Sequence, residues 1–517
     1  MSWKKEIEEL RRREEMGRVM GGPEKIERHH NQGKLTVRER IDRLIDEDSF
    51  HELGAIAGRV EYDDGGNIIS SSPTNFIFGR AMIDGRRVVV AGDDFTVRGG
   101  ANDAAIAEKA MMSEFMARDL RLPVVRLIDG TGGGGSVKNI EIKGHTLLPG
   151  YEGRKWEYMV DNLATVPVVS LALGSTAGLG SARVTASHYS IMVKETSQMF
   201  VAGPPVVKYV EKDYEKNELG GSHIHTRNGA VDDEAGSEDE AFEMTRRFLS
   251  YLPTNVYELP PRAEPNDPID RRDDWLIEAV PKDRRKIYDM RRIVDSIVDR
   301  GSFFEIGRKW GRGMITGLAR FDGWPVAIMA SDPRHFGGCW TADVCEKVIR
   351  FCDMAEIFHL PIVHMVDCPG FLVGLQAEQE GTIRYGSRAL TAVFQATVPW
   401  CTVIVRKVFG VAGSAHQNAT RYNVRYCWPS GDWGSLPVEG GLEAAYRSQI
   451  EAAEDPEAER ERIFARLEEL RSPFRAAEQF MPEEIIDPRD TRPLLCEFAE
   501  IAAPLRTPGR TTFTFRP

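Results

Sequence analysis

No apolar run in this chain reaches the roughly 18–20 residues that crossing a bilayer requires. Its densely charged opening, MSWKKEIEELRRREEMGRVM, lacks the apolar stretch of a secretion signal and reads as a solvated amphipathic helix. Both absences point to a cytoplasmic protein. No cysteine precedes Cys339, and none of the seven (Cys339, Cys345, Cys352, Cys368, Cys401, Cys427, Cys496) forms a CxxC pair. An odd set confined to one half excludes a disulfide framework and implies reduced, mostly buried thiols. Basic clustering is missing too. With a net charge of −12 and acidic residues spread along the chain, nucleic acid is not the expected main partner, although anionic small ligands remain possible.

The motif inventory is equally thin. The eleven histidines are scattered, no HExxH occurs, and no metal site is expected. His29–His30 and His223–His225 read as surface or capping residues. The glycine-rich stretch Thr131–Lys138 lacks the GxxxxGK[ST] spacing of a phosphate loop and reads as a flexible loop on the substrate side. No GxGxxG follows a strand with an acidic residue at the required distance, and no GxSxG elbow is present, which removes dinucleotide and serine-hydrolase readings.

What the chain does contain is itself, twice. DRLIDEDSFHELG (42–54) returns as DSIVDRGSFFEIG (295–307), an offset of 253. GRAMIDGRRVVVA (79–91) returns as GLARFDGWPVAIMA (317–330), with Asp84–Gly85 on Asp322–Gly323. Glu108–Lys109 falls on Glu346–Lys347 and Asp129 on Asp367, all offset by 238. VPVVSLALGSTAGLG (166–180) parallels VPWCTVIVRKVFGVAG (398–413), offset by 232. Four blocks in the same order, at shrinking offsets, mean one ancestral unit duplicated and shortened in its second copy. Each copy alternates apolar strand-like runs with segments of helical periodicity, so an α/β fold with parallel sheet in both halves is expected. The Pro- and charge-rich stretch 258–274 separates a domain at 1–260 from one at 275–517.

A small-residue turn at the end of a strand, opening a helix, exposes backbone N–H groups that stabilise negative charge. Two such turns lie at equivalent positions: Gly174-Ser175-Thr176-Ala177-Gly178-Leu179-Gly180 and Phe409-Gly410-Val411-Ala412-Gly413. Paired turns of this kind suit a reaction with two developing oxyanions, one on each reactant. Asp129 and Asp367 end equivalent strands and read as caps or turn formers.

With these residues in view, the chain resembles the carboxyltransferase (β) subunits of biotin-dependent acyl-CoA carboxylases of the propionyl-CoA carboxylase type. The resemblance rests on the ordered blocks GKLTVRERIDRLIDEDSFHELG, GDDFTVRGGAND, TSQMFVAGPPVVK, ELGGSHIHT, FLSYLP, DCPGFLVG, ATVPWCTVIVRKVFGVA and YCWPSGD. It implies two crotonase-like domains, usually in a hexamer, with coenzyme A thioester as substrate. It also implies carboxybiotin carried on a separate biotin carboxylase/carrier α subunit, since no Met-Lys-Met biotinylation site or ATP-grasp-like segment is recognisable. The N-domain would face acyl-CoA and the C-domain carboxybiotin. Carried over residue by residue, the catalytic amides fall at Gly178 and Leu179 in the first turn. In the second they fall at Gly410, Val411 and Ala412. Substrate contacts fall at Ala177, Gly132, Gly133, Gly338, Trp340 and Thr341. Leu179 and Val411 each stand where the family usually has glycine, so crowding, and strain at Val411 if its φ were positive, are expected there. His416-Gln417-Asn418 also departs from the family pattern. The alternatives are a biotin-dependent decarboxylase or biotin-free crotonase-like lyase or hydrolase on the same fold, and a non-catalytic scaffold whose turns are blocked.

Overall fold

A computed structural model describes residues 2–101, 106–130, 140–141, 144–146, 154–512 and 514–517. The chain divides into two compact units. One is Met1–Glu258 with Gly509–Phe515 and Pro517; the other is Leu259–Pro508 with Arg516.

The first unit carries β1 (His51–Glu52), β2 (Gly58–Tyr62), β3 (Ile68–Pro73), β4 (Phe76–Ile83), β5 (Arg86–Asp93), β6 (Val124–Ile128), β7 (Val168–Ala172), β8 (Ser175–Ala177), β9 (Tyr189–Val193), β10 (Gln198–Phe200) and β11 (Asp233–Ala235). Its main sheet runs β1-β4-β5-β6-β7-β9-β11, while β8 pairs with β10 and β2 with β3 separately. The second unit carries β12 (Phe304–Ile306), β13 (Met314–Phe321), β14 (Trp324–Ser331), β15 (Ile362–Cys368), β16 (Trp400–Phe409), β17 (Val424–Cys427), β18 (Asp432–Gly434) and β19 (Glu484–Ile485). Its sheet runs β12-β13-β14-β15-β16-β17-β19, with β18 also on β16. The offset of 238 carries β4 and β5 onto β13 and β14 residue for residue. Neither sheet is wholly parallel: the first three strands of each pair antiparallel, and parallel pairing begins at β5–β6 and β14–β15. The reason is the two-residue Asp-Gly connection, which is too short for a crossover and folds back as a hairpin.

The repeated letters have a common physical cause. Asp84 and Gly85 both take positive φ (48° and 74°), as do Asp322 and Gly323 (48° and 78°), the geometry of a primed hairpin turn. The amides of Asp84 and Gly85 donate to the Asp46 carboxylate at 2.9 Å each. Those of Asp322 and Gly323 donate to Asp299 at 3.0 and 2.8 Å. The Ser49 hydroxyl accepts from the Met82 amide and the Ser302 hydroxyl from the Arg320 amide, each at 3.1 Å. Gly79 and Gly317 must lack a side chain because a Cβ would lie 2.3 Å from the His51 carbonyl oxygen and 2.5 Å from that of Phe304. Lys109 and Lys347 donate to the carbonyls of Gly54 and Gly307, tying the following helix back to the first strand.

The central strands β6, β7 and β9 are buried along their whole length, matching their continuous apolar runs. In the second unit, Ile315, Ile328, Val363, Met365, Val403 and Trp428 join Ile293, Leu495 and Phe498 in one core. Helices Met290–Ile297 and Thr491–Ala502 supply the last three of these residues. All seven cysteines are free, and six are buried.

Asp46 and Asp299 perform the same task in different surroundings, which sets up a comparison. Asp299 is buried and also accepts from the guanidinium of buried Arg492 at 2.9 Å, whereas Asp46 is half-exposed. Asp46→Ala should cost about 1.5–3 kcal/mol for its charge-assisted bonds. Asp299→Ala should cost more, by leaving a buried cation short of its partner. Urea unfolding of the two variants checks this, and equal losses would contradict it.

Candidate functional site

Each unit builds its small-residue turn behind a buried carboxylate. In the first, Asp129 follows β6 and is fully buried. One of its oxygens accepts from Arg40 at 2.9 Å, and Arg40 also donates to the Leu173 carbonyl at 3.1 Å and to both oxygens of Glu238. His29 and Lys34 stand 3.6 and 3.7 Å from Asp129. Burial lowers the pKa of both, with Asp129 opposing it. His29 is therefore an interior residue and not the surface group its sequence context suggests. Gly174 has no side chain because a Cβ would lie 1.8 Å from Asp129 Oδ1.

In the second unit Arg406 occupies the position equivalent to Gly174 and supplies the cation itself. Asp367 Oδ2 accepts from Arg406 Nη2 at 2.9 Å and Tyr288 Oη at 2.9 Å, while Oδ1 accepts from the Lys407 amide at 3.0 Å. Neither aspartate is a simple cap. Each is the charged post that fixes a strand end from which a turn springs.

At the turns themselves, one glycine per unit has the unusual backbone. Gly178 sits at φ 55° and Gly410 at φ 60°. Leu179 and Val411, which follow them, do not have positive φ, so the glycines that the family usually carries there are not needed for conformation. The expected strain at Val411 is absent. Crowding is limited as well, because Val411 is 57% exposed and its side chain projects outward.

The amide pairs are offset by one residue from the sequence reading in the first unit. The Gly178 amide donates to the Phe200 carbonyl at 3.1 Å and is not available to a ligand. The amides of Leu179 and Gly180 meet no acceptor among the described residues. The same is true of Val411 and Ala412. The offset of 232 places Ala412 on Gly180, so the two amides are equivalent in the duplicated sequence. Gly180 must stay glycine, since a Cβ would lie 2.8 Å from the Gly130 carbonyl oxygen.

The remaining expected residues take local positions. Ala177 ends β8, paired with Phe200. Gly338 (φ 87°) matches Gly100 (φ 65°). A Cβ on either would meet the carbonyl oxygen of the buried aspartate, at 2.3 Å from Asp367 and 2.6 Å from Asp129. Trp340 is 1% exposed, bridges to Phe371 through its backbone and meets the Phe371 ring edge-on at 6.3 Å. The Thr341 hydroxyl caps helix Ala342–Ile357 by accepting from the Val344 amide. Gly132 and Gly133, with the rest of Thr131–Lys138, lie outside the described residues. A cavity of about 760 Å³, lined in part by Lys407, Phe409, Gly337, Pro369 and Arg284, reaches the second turn at Phe409. Among the described residues no cluster of His, Cys, Asp and Glu could hold a metal ion. No helix there is long and apolar enough to cross a membrane.

Comparison with known proteins identifies this architecture. The carboxyl transferase domain family matches residues 28–508. The propionyl-CoA carboxylase carboxyltransferase subunit of Haloferax mediterranei is 35% identical, covering 95% of both chains. The methylmalonyl-CoA carboxyltransferase 12S subunit of Propionibacterium freudenreichii subsp. shermanii is 32% identical over 97% of this chain and 94% of its own. Among solved structures, the transcarboxylase 12S hexamer with methylmalonyl-CoA bound superposes with a TM-score of 0.89 at 30% identity, covering 100% of this chain and 99% of that one. The duplicated α/β units are thus two crotonase-like domains, and the chain belongs to the carboxyl transferase family as the carboxyltransferase subunit of a biotin-dependent acyl-CoA carboxylase.

Proposed function

We propose that the two turns divide the reaction between them. The Leu179 and Gly180 amides receive the thioester oxygen of acyl-CoA, and the Val411 and Ala412 amides receive the ureido oxygen of biotin. The first unit is then the acyl-CoA side and the second the carboxybiotin side. The observation that carries this reading is the shared register: a glycine at φ 55° or 60°, followed in both units by two amides without acceptors. Unpaired backbone donors at a strand end are costly unless a ligand or water uses them, so finding them twice at one register favours binding over accident.

Biotin, brought by a partner chain, supplies or accepts the carboxyl group at its ureido ring. The residues of this chain do the rest by position and charge. Withdrawing a proton from the carbon next to a thioester loads negative charge onto the thioester oxygen, where two fixed N–H dipoles oppose it. A ureido oxygen that gains charge when its ring nitrogen loses the carboxyl group is served in the same way by the second pair. In the second turn the Val411 carbonyl is already taken by the Ser414 hydroxyl at 2.6 Å, while the Val411 and Ala412 amides meet no acceptor among the described residues. The proton withdrawn from the carbon next to the thioester goes to the ureido group of biotin, once free of its carboxyl group, so no side-chain base is required. A scaffold reading would need Leu179 and Val411 to plug the turns, which the exposure of Val411 disfavours.

The partners follow from the chemistry. We assign biotin to a separate carboxylase/carrier α subunit. A hexamer of this chain is supported by the relative whose structural description names a hexamer. Seven unpaired cysteines suit a reducing cytoplasm.

Proline at Leu179 or Ala412 deletes one amide while remaining compatible with a first helical turn. Each should lower kcat about 10²–10³-fold in carboxyl transfer between methylmalonyl-CoA and free biotin, with folding preserved by circular dichroism. Val411→Gly, which keeps the amide, should stay within about threefold of the parent. Near-parent turnover in either proline variant would remove that turn from the mechanism. In a second test, affinity capture of this chain from its own cells should retain a biotinylated polypeptide detectable with avidin, and its absence would count against the α-subunit assignment.

A further inference from the structure

The second turn has a support that the first lacks, built from His416. The turn Gly410–Ser414 has its carbonyls secured one by one. Val411 O accepts from Ser414 Oγ at 2.6 Å, Ala412 O from the Ala415 amide at 3.1 Å, and Gly413 O from His416 Nδ1 at 2.7 Å. A peptide is planar, so fixing the Val411 carbonyl also fixes the direction of the Ala412 N–H on the same plane. The backbone of His416 is itself anchored, because its carbonyl accepts from Trp400 Nε1 at 2.9 Å and Thr402 Oγ1 at 2.6 Å, both on β16.

The proton on the ring can be placed by elimination. His416 Nε2 lies 3.2 Å from Arg425 Nη1, and a guanidinium can only donate. Nε2 must therefore accept, which leaves the proton on Nδ1, aimed at Gly413 O. Arg425 is held in turn by both oxygens of Glu483, at 2.7 and 2.6 Å. The order Glu483–Arg425–His416–Gly413 thus runs from the strand side of the sheet to the back of the turn. In the first unit the position equivalent to His416, 232 residues earlier, is Val184, fully buried and unable to make such a bond.

We propose that His416 is a positioning residue for the biotin side of the reaction: as the neutral Nδ1–H tautomer, locked by Arg425 and Glu483, it clamps the turn that presents the Val411 and Ala412 amides. The proposal rests on the assignment of that turn to biotin. Protonation of Nε2 would turn an acceptor into a donor facing a guanidinium and release the clamp. The charged and titratable groups facing the ring are Arg425 on β17, Glu483 beside β19 and His364 on β15. Burial, first of all, lowers the His416 pKa; Arg425 adds to this and Glu483 opposes it. His364, with its pKa pushed down to about 3 mainly by burial, stays neutral and adds no charge.

The test uses the full chain, with methylmalonyl-CoA and free biotin as the reactants. His416→Phe keeps the ring volume without the donor, and should lower kcat or raise the KM for biotin on the order of tenfold to a hundredfold, leaving the KM for methylmalonyl-CoA unchanged. His416→Asn places an amide nitrogen where Nδ1 lies and should recover most of that loss. Arg425→Gln removes the guanidinium that a protonated Nε2 would face, so protonation of His416 no longer releases the turn and the acid limb of the kcat profile moves to lower pH or flattens. His416→Phe with parent kinetics overturns the proposal. Should that variant fail to fold, an unmoved acid limb in Arg425→Gln overturns it alone. Ala412→Pro separates the two levels: full activity there sinks the assignment of the turn to biotin. Loss of activity in Ala412→Pro beside an unaffected His416→Phe sinks only the clamp.

Discussion

In each unit a few backbone amides are left without an acceptor among the described residues where a strand stops. An amide left without a partner inside a protein is costly, so such a place persists only when its surroundings are over-determined. Here the over-determination is electrostatic. Asp129 and Asp367, each fully buried, hold the strand ends from behind, and their charges are balanced by Arg40 in one unit and Arg406 in the other. The two units reach the same result with the cation arriving from different parts of the chain. Gly174 can be glycine because Arg40 arrives from helix Val37–Leu44, whereas the equivalent position in the second unit carries Arg406 itself.

That exchange shows which part of a duplicated fold is free to change. The hairpin turns at Asp84–Gly85 and Asp322–Gly323 keep their residues because positive φ at two successive positions admits few side chains, and because a carboxylate must satisfy both amides. The residue after the positive-φ glycine is under no such demand, and Leu179 and Val411 stand there without conformational cost. Both positions still offer an N–H, which any residue but proline provides. The substitutions change the side chain presented to a ligand and leave the donor in place.

The second turn is buttressed differently from the first. It is fixed by Ser414, Ala415 and His416, and the carbonyl of His416 is fixed by Trp400 and Thr402. In the first unit the Gly178 amide bonds Phe200 and the Ser181 hydroxyl donates to the same carbonyl at 2.7 Å, so that turn is tied to β10 instead. The two turns thus rest on different supports.

The sequence alone determined the duplication, the family, the α/β class and the location of both turns, because each of these is written in local terms: spacing of apolar residues, Asp-Gly pairs, small residues after a strand. It named both turns as anion-binding candidates, and in the fold the amides of Leu179, Gly180, Val411 and Ala412 meet no acceptor among the described residues. Only tertiary structure decided which amide a distant carbonyl would take. Phe200, on another strand, removes Gly178 from the donor set and leaves Gly180 in it. Tertiary structure likewise turned His29 inward, made posts of two aspartates that read as caps, made a core residue of Trp340, and gave His416 its partners on β17 and beside β19. A hydrogen bond between residues far apart in the chain leaves no periodic trace, so its donor and acceptor become known only when folding sets them side by side.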